Sequence, residues 1–163
     1  DEAAWPPAQF AQAFNHVAAS GLPCTVHAGE WAGPDRIREA LETLPVRRLG
    51  HGVRAIEDPS LVKDIVARGV TLEVCPGSNV ATGIYKSLSD HPISELIVAG
   101  VNVTLNSDDP PYFATTLGSE YDKAGSVIGL SPDQLRGITA AAITASFADQ
   151  DTKVRLLAST GLA

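Results

Sequence analysis

The sequence lacks the features that mark several large classes of protein. It has only two cysteines, Cys24 and Cys75, which lie far apart and form no C-x-x-C pair, whereas a secreted disulfide scaffold would contain more of them. No apolar run approaches the roughly 18–20 residues that a membrane span requires, and no basic segment followed by an apolar one begins the chain. We therefore expect a cytoplasmic protein with reduced thiols and no membrane partner.

Basic clusters and aromatic residues are also scarce. The formal net charge is −7, and aromatic residues make up 6% of the sequence. Binding to nucleic acid relies on a Lys/Arg surface that neutralises phosphates, so we expect no nucleic-acid partner. The composition favours a small ligand that is neutral or weakly charged.

Methionine is absent from the chain. A complete translation product begins with Met, although the initiator can be trimmed, and the opening residues (D-E-A-A-W-P-P) do not resemble the start of a domain. We expect the sequence to be a fragment, or a separately made half, of a larger protein.

The residues that are present predict one α/β domain over residues 1–163. Hydrophobic residues make up 44% of the sequence and charged residues 19%, which is ordinary for such a domain. Short apolar runs alternate with helical patterns, and the predicted strands cover residues 22–26, 46–49, 70–74 and 101–105. Helices are predicted before, between and after these strands, the long one over residues 131–147 and a short one after Asp149. The alternation predicts parallel strands joined by crossover helices.

Four such units form either half of a (β/α)8 barrel or a small open sheet. Both architectures bind ligands at the carboxyl ends of their strands, and the unusual polar residues of this sequence lie there. Neither a G-x-G-x-x-G motif nor a P-loop is present, as an open nucleotide-binding sheet would require. We therefore predict half of a barrel.

Four motifs carry these polar residues: residues 25–30 (T-V-H-A-G-E), 49–52 (L-G-H-G), 75–79 (C-P-G-S-N) and 106–110 (N-S-D-D-P). In a closed barrel they meet on one rim, where two imidazoles and three carboxylates have the composition of a hydrolytic metal site.

Each of these side chains also has a simpler interpretation. His27 or His51 alone could be a hydrogen-bonded structural histidine, and Asp108-Asp109 could be a solvated turn. After a buried strand, however, adjacent carboxylates repel each other unless a cation or a protonated ligand lies between them. The histidines outside the motifs, His16 and His91, are predicted to be structural.

In their order and spacing, the four motifs resemble the last four strand-end motifs of the adenosine/adenine deaminase family. The resemblance covers nearly the whole chain and implies the C-terminal half of a (β/α)8 barrel, with C-terminal helices and one zinc ion. It implies that His27 and Asp108 are zinc ligands and that Glu30 is the acid that protonates purine N1. His51 would orient the attacking water and steady the charge that develops during attack at C6. Asp108 is thereby assigned to catalysis as well as to the metal.

The resemblance also implies two contacts to a purine substrate. Asp109 would accept a hydrogen bond from the N7 side of the purine, and Gly29 would lie against the bound ring. The reaction would be the hydrolytic deamination of adenosine to inosine and ammonia.

The sequence departs from the family pattern in its first half. The family's first strand supplies an H-x-H pair of zinc ligands, and no such pair occurs among the four histidines of this chain. Asp1-Glu2 resembles the end of the family's fourth strand motif, so strands one to four are expected to be absent. We therefore expect weak or no activity and weak zinc binding from the isolated chain. Its open strand edges would pair with a second copy, giving a homodimer, or with an N-terminal half.

The substrate is less sharply indicated than the reaction. Residues 111–117 (P-Y-F-A-T-T-L) resemble bacterial adenosine deaminases, which favours a purine nucleoside, although adenine-specific relatives share part of this segment. The alternatives are a deaminase of free adenine, a related metal-dependent amidohydrolase without purine preference, and a non-catalytic half-barrel.

Overall fold

The structure is a computed structural model that describes residues 2–162. Asp1, which was matched together with Glu2 to a family motif, and Ala163 lie outside the described residues.

Four parallel strands form one sheet in the order β1-β2-β3-β4. Their bounds are β1 (Cys24–Ala28), β2 (Val46–His51), β3 (Thr71–Val74) and β4 (Asn102–Leu105). Each strand is hydrogen-bonded to the next strand along the chain, as in a barrel wall, and helices connect them. The predicted four parallel strands with crossover helices are confirmed.

The helices flank this sheet and extend beyond its last strand. They are α1 (Ala11–Ala19), α2 (Pro34–Thr43), α3 (Pro59–Arg68), α4 (Pro76–Ala81), α5 (Ile93–Val98), α6 (Pro110–Phe113), α7 (Leu117–Lys123), α8 (Pro132–Ala145) and α9 (Gln150–Thr160). Shorter 3-10 segments cover Pro7–Phe10, Val53–Glu57 and Leu88–Asp90, and a π-helical segment covers Ala124–Ile128. No helix among residues 2–162 has the length and apolarity needed to cross a membrane.

Local capping explains why the longer helices begin where the sequence predicts. The Asp58 carboxylate accepts hydrogen bonds from the first backbone N–H groups of α3, and Ser131 and Gln134 form a capping box at the start of α8. Asp149 caps α9 by accepting a hydrogen bond from the Thr152 N–H. These contacts satisfy N–H groups that have no partner within the helix.

The structure differs from the sequence prediction at the first strand and in two loops. The first strand begins at Cys24 because Pro23 has no N–H to donate to a ladder, and it continues through His27 to Ala28. The segment after Cys75 contains α4, and the segment after Asp108 contains α6 and α7, short helices that the sequence pattern did not predict. These helices have four to seven residues, too few for a helical apolar repeat to show.

The core lies between the sheet and the helices that cover it. Its fully buried apolar side chains come from α2, β2, α3, β3 and α5, and include Ile37, Leu49, Leu61, Ile65, Leu72, Val74, Ile93 and Leu96. Burial of each such side chain stabilises the fold by about 1.5–3 kcal/mol. Because the strands are parallel and in register, their carboxyl ends lie at one rim of the sheet, with Ala28 opposite His51 and Val74 opposite Leu105.

Candidate active site

The carboxyl ends of the four strands surround a cavity of about 320 Å³. His27 lies within β1 and His51 ends β2, while Cys75 directly follows β3 and Asp108 follows the end of β4. The cavity is lined by His27, Gly50, His51, Glu73, Cys75, Asn106, Ser107, Asp108 and Leu117. All four motifs therefore converge on one rim, as the barrel interpretation requires.

His51 is the centre of this cluster. It is 1% exposed, and its Nε2 lies 3.5 Å from Oε2 of Glu30 and 3.7 Å from Oδ2 of Asp108. The rings of His51 and His27 stand nearly perpendicular, with centroids 5.0 Å apart. The structure thus brings together the four side chains to which the resemblance assigns acid–base and metal-binding roles.

Two of these residues, His51 and Asp108, have a backbone conformation that residues with a side chain rarely adopt. The φ angle is 60° at His51 and 56° at Asp108, in the left-handed region that few residues other than glycine adopt. Such a conformation costs on the order of 1 kcal/mol and persists where the surrounding structure enforces it, frequently at functional sites. The strain therefore supports the assignment of this rim as the site.

Glu30 is held by a carboxylate from the start of the chain. The Glu2 side chain accepts hydrogen bonds from the backbone N–H groups of Gly29 (2.9 Å), Glu30 (3.1 Å) and Ala32 (3.0 Å). These bonds fix the backbone of the turn that follows β1 and carries Glu30. Sequence reasoning did not find this contact beyond the match of Asp1-Glu2 to a strand-end motif.

The environment shifts the two central titratable groups in ways that suit acid chemistry. Burial raises the pKa of the Glu30 carboxyl, and the negative charges of Asp108 and Glu2 add to this effect while His27 opposes it. Burial lowers the pKa of His51 to about 4, with His27 acting in the same direction and Asp108 and Glu2 against it. His51 is therefore a neutral imidazole at pH 7, and Glu30 holds a proton more readily than an exposed glutamate.

Two glycines make room for these groups. A Cβ at Gly50 would collide with the His27 ring, so glycine is required for the ring to lie across β2. Gly29 has φ +78°, and a Cβ there would collide with Ile37. The Gly29 carbonyl accepts a hydrogen bond from the Arg54 N–H at 3.1 Å. Since its N–H binds Glu2, both backbone polar groups of Gly29 have partners inside the chain, and its contact with a purine stays a prediction.

Asp109, like Gly29 and Glu30, does not line this cavity. It lies exposed at the start of α6 and is not among the residues that line the cavity. Its hydrogen bond to the purine therefore also stays a prediction.

Cys75 and Asn79 belong to the site region, although sequence reasoning assigned neither of them a role. Cys75 lines the cavity, and burial raises the pKa of its thiol, which keeps the group protonated. Asn79 is fully buried and lies between His51 and His91. Both residues belong to the C-P-G-S-N motif, so the motif located the segment without indicating these contacts.

The side chains at the rim can hold a metal ion. Among the described residues, two groups have ligand atoms that all lie within 4.8 Å of one another: His27, Glu30 and His51, and His51, Cys75 and Asp108. Imidazole nitrogen and carboxylate oxygen are ligands that zinc binds readily. These donor types fit zinc, and His27 and Asp108 fall in different groups, each together with His51.

Comparison with known proteins bears on the family and the fold. The adenosine deaminase family profile matches residues 1–160. The chain belongs to the adenosine deaminase family. An adenine deaminase of Sinorhizobium fredii is 50% identical over 151 residues, which are 93% of this chain and 47% of the relative. An adenine deaminase of Rhizobium meliloti is 48% identical with the same coverage.

Solved structures of the family share the fold. An adenine deaminase from Arthrobacter aurescens superposes with a TM-score of 0.92 at 37% identity, over 96% of this chain and 48% of that one. An amidohydrolase from Burkholderia ambifaria, which has zinc bound, gives a TM-score of 0.88 at 25% identity, over 96% of this chain and 44% of that one. The predicted α/β fold, the C-terminal half of a TIM-type barrel, is confirmed.

The comparisons bear on the preferred substrate and define the coverage. The similar relatives are named adenine deaminase, so the preference for the nucleoside adenosine is not supported and the free-base alternative fits better. The chain spans about half the length of the relatives it matches.

Proposed function

We propose that this chain supplies the acid–base groups and two metal ligands of a zinc-dependent deaminase that acts on adenine. The observation that carries the proposal is the convergence of His27, Glu30, His51 and Asp108 on one strand-end rim. The names of the relatives at 48–50% identity support adenine as the substrate.

Glu30 acts as the proton donor in this proposal. Adenine is a poor electrophile at C6 until its N1 is protonated, so the reaction requires an acid that holds a proton near neutral pH. Burial and two nearby carboxylates raise the pKa of Glu30, which favours its protonated form over that of an exposed glutamate. Glu2 fixes the backbone of the Glu30 turn, and the carboxylate of Glu30 lies 3.5 Å from Nε2 of His51.

His51 acts as a neutral hydrogen-bonding group between Glu30 and Asp108. Its Nε2 is close to both carboxylates, and burial excludes competing solvent from the ring. A water positioned beside this nitrogen would be oriented for attack on the purine. The amino group leaves as ammonia after it has taken up a proton.

Zinc would be held by His27 and Asp108 within this chain, and when bound it supplies Lewis-acid activation of water at neutral pH. Gly50 leaves the space that the His27 ring occupies. A catalytic zinc usually has three protein ligands, so the site needs a further ligand, which we assign to the family's N-terminal half. Pairing of this chain with such a half or with a second copy, and its cytoplasmic location, stay predictions.

Turnover of adenine and of adenosine by the purified protein that contains this chain tests the substrate. We expect kcat/KM to be higher for adenine. Equal or faster turnover of adenosine would refute the free-base assignment.

Glu30→Gln tests the acid. This substitution keeps the shape of the side chain and removes the transferable proton, so we expect kcat for adenine to fall by about 10²–10⁴-fold. Glu42→Gln, on the exposed side of α2, is the matched control and should leave kcat unchanged. Unchanged turnover in Glu30→Gln would eliminate Glu30 as the acid.

A further inference from the structure

A chain of buried hydrogen bonds runs from the start of α5 to the site. The Ile93 N–H donates to Nδ1 of His91 at 3.2 Å, and Nε2 of His91 lies 3.1 Å from Oδ1 of Asn79. Nδ2 of Asn79 lies 3.2 Å from Nδ1 of His51. These four residues are at most 4% exposed, so solvent does not compete for the bonds.

Which group donates in each of these hydrogen bonds follows from the first bond, between the Ile93 N–H and Nδ1 of His91. A backbone N–H is only a donor, so Nδ1 of His91 must accept and carries no proton. The proton of neutral His91 then resides on Nε2 and is donated to Asn79 Oδ1. This orientation of the amide leaves its NH₂ group to donate to His51. Nδ1 of His51 is therefore an acceptor, and the proton of neutral His51 resides on Nε2.

Hydrogen-bond polarity favours one orientation of the Asn79 amide, and the surrounding backbone is held in place. Its backbone carbonyl accepts hydrogen bonds from the N–H groups of Ile84 (2.9 Å) and Tyr85 (3.1 Å), which hold the end of α4. The ring of Tyr85 also packs against His91, with centroids 5.1 Å apart. An amide rotated by 180° would place its NH₂ group against Nε2–H of His91, donor against donor.

We propose that Asn79 and His91 are positioning residues that hold His51 in the tautomer with its proton on Nε2. That nitrogen is the one facing Glu30 and Asp108. Within the proposed deaminase, on which the catalytic meaning of this inference rests, His51 therefore donates a hydrogen bond into the site. The C-P-G-S-N motif thus contributes to the site through the orientation of another motif's histidine.

Nitrogen-15 NMR of the histidine rings, in labelled protein that contains this chain and without substrate, tests the proposal directly. Protonated and unprotonated ring nitrogens have well-separated shifts, and a His51→Gln sample assigns the His51 signals. We expect wild-type His51 to be protonated at Nε2 and unprotonated at Nδ1. A wild-type His51 protonated at Nδ1 would overturn the proposal, whether or not any variant folds.

Asn79→Asp keeps the shape of the side chain nearly constant but replaces the NH₂ group that donates to His51 with a carboxylate oxygen that accepts. A carboxylate only accepts, so it would accept from both histidines and draw a proton onto Nδ1 of His51. We expect the NMR signals to show this change, and kcat to fall by about 10²–10⁴-fold with a smaller change in KM. An Asn79→Asp protein with the wild-type tautomer of His51 would refute the role of Asn79.

Ser78→Ala is the matched control, because Ser78 lies beside Asn79 in α4 and its buried hydroxyl has no hydrogen-bond partner among the described residues. It should preserve both the tautomer and kcat. The two proposals fail separately. Wild-type protein with the Nε2 tautomer but no deamination would refute the function alone, and active protein with the Nδ1 tautomer would refute the positioning role alone.

Discussion

Acidification should destabilise the fold through His91, a buried histidine outside the metal-binding cluster. Burial lowers the pKa of this imidazole to about 4 from an ordinary value of 6.5, with Glu120 opposing the shift and His51 adding to it. In the unfolded chain His91 takes up a proton below pH 6.5, whereas in the folded chain it stays neutral until about pH 4. The free energy of unfolding is therefore highest above pH 6.5 and falls as the pH drops toward 4.

The size of this effect follows from the shift. The difference between 6.5 and 4 is about 2.5 pH units, and each unit corresponds to about 1.4 kcal/mol, so the loss reaches about 3 kcal/mol. His51 shifts in the same direction, so the wild-type protein should lose more than this amount. Comparison with a variant isolates the part that belongs to His91.

Urea unfolding between pH 4.5 and 7 is the assay, performed on wild-type protein and on His91→Gln. Near pH 5 we expect the free energy of unfolding of wild type to fall more steeply, by about 1.4 kcal/mol per pH unit more than in the variant. The variant should be less stable than wild type at pH 7, because Asn79 loses its imidazole partner. Equal pH slopes in the two proteins would refute the claim that His91 is buried in its neutral form.

Two further substitutions test contacts that position the site. Gly50→Ala places a methyl group against the His27 ring. Displacement of a site group by about 1 Å can reduce activity about 10²-fold. We therefore expect the variant to lose zinc to a chelator more readily and to have a lower kcat. A Gly50→Ala protein that retains zinc as well as wild type does would contradict this close contact. Glu2→Ala leaves three backbone N–H groups without their acceptor, so urea unfolding should show a loss of about 1–3 kcal/mol. Glu42→Ala is the exposed control, and an equal loss there would argue against a specific role for Glu2.

The helices and strands that could be predicted from sequence are those whose start, apolar face and end are set by residues close together along the chain. The apolar period of α3, its capping Asp58 and the terminating Gly69 are all contained within twelve consecutive residues, so this helix could be read directly. The strands were located by short apolar runs, although the first was placed two residues too early. Helices α4, α6 and α7 were missed because each is too short to repeat an apolar face.

Part of the site could likewise be predicted from the order of elements along the chain, and part could not. Parallel strands alternating with helices place all four motifs at one rim, so the cluster of His27, His51 and Asp108 followed from chain order. The exposed position of Asp109 could not be predicted from its neighbour, because the left-handed backbone at Asp108 turns the chain between the two aspartates.

By itself, therefore, the sequence determined the family, the alternation of strands and helices, and the identity of the groups at the rim. These depend on residue type and on neighbours along the chain. Only the tertiary structure decided that Glu2 holds the Glu30 turn and that Asn79 and His91 orient His51. Those hydrogen bonds join residues 12–28 positions apart, and such pairs become neighbours only after the sheet and its helices have packed.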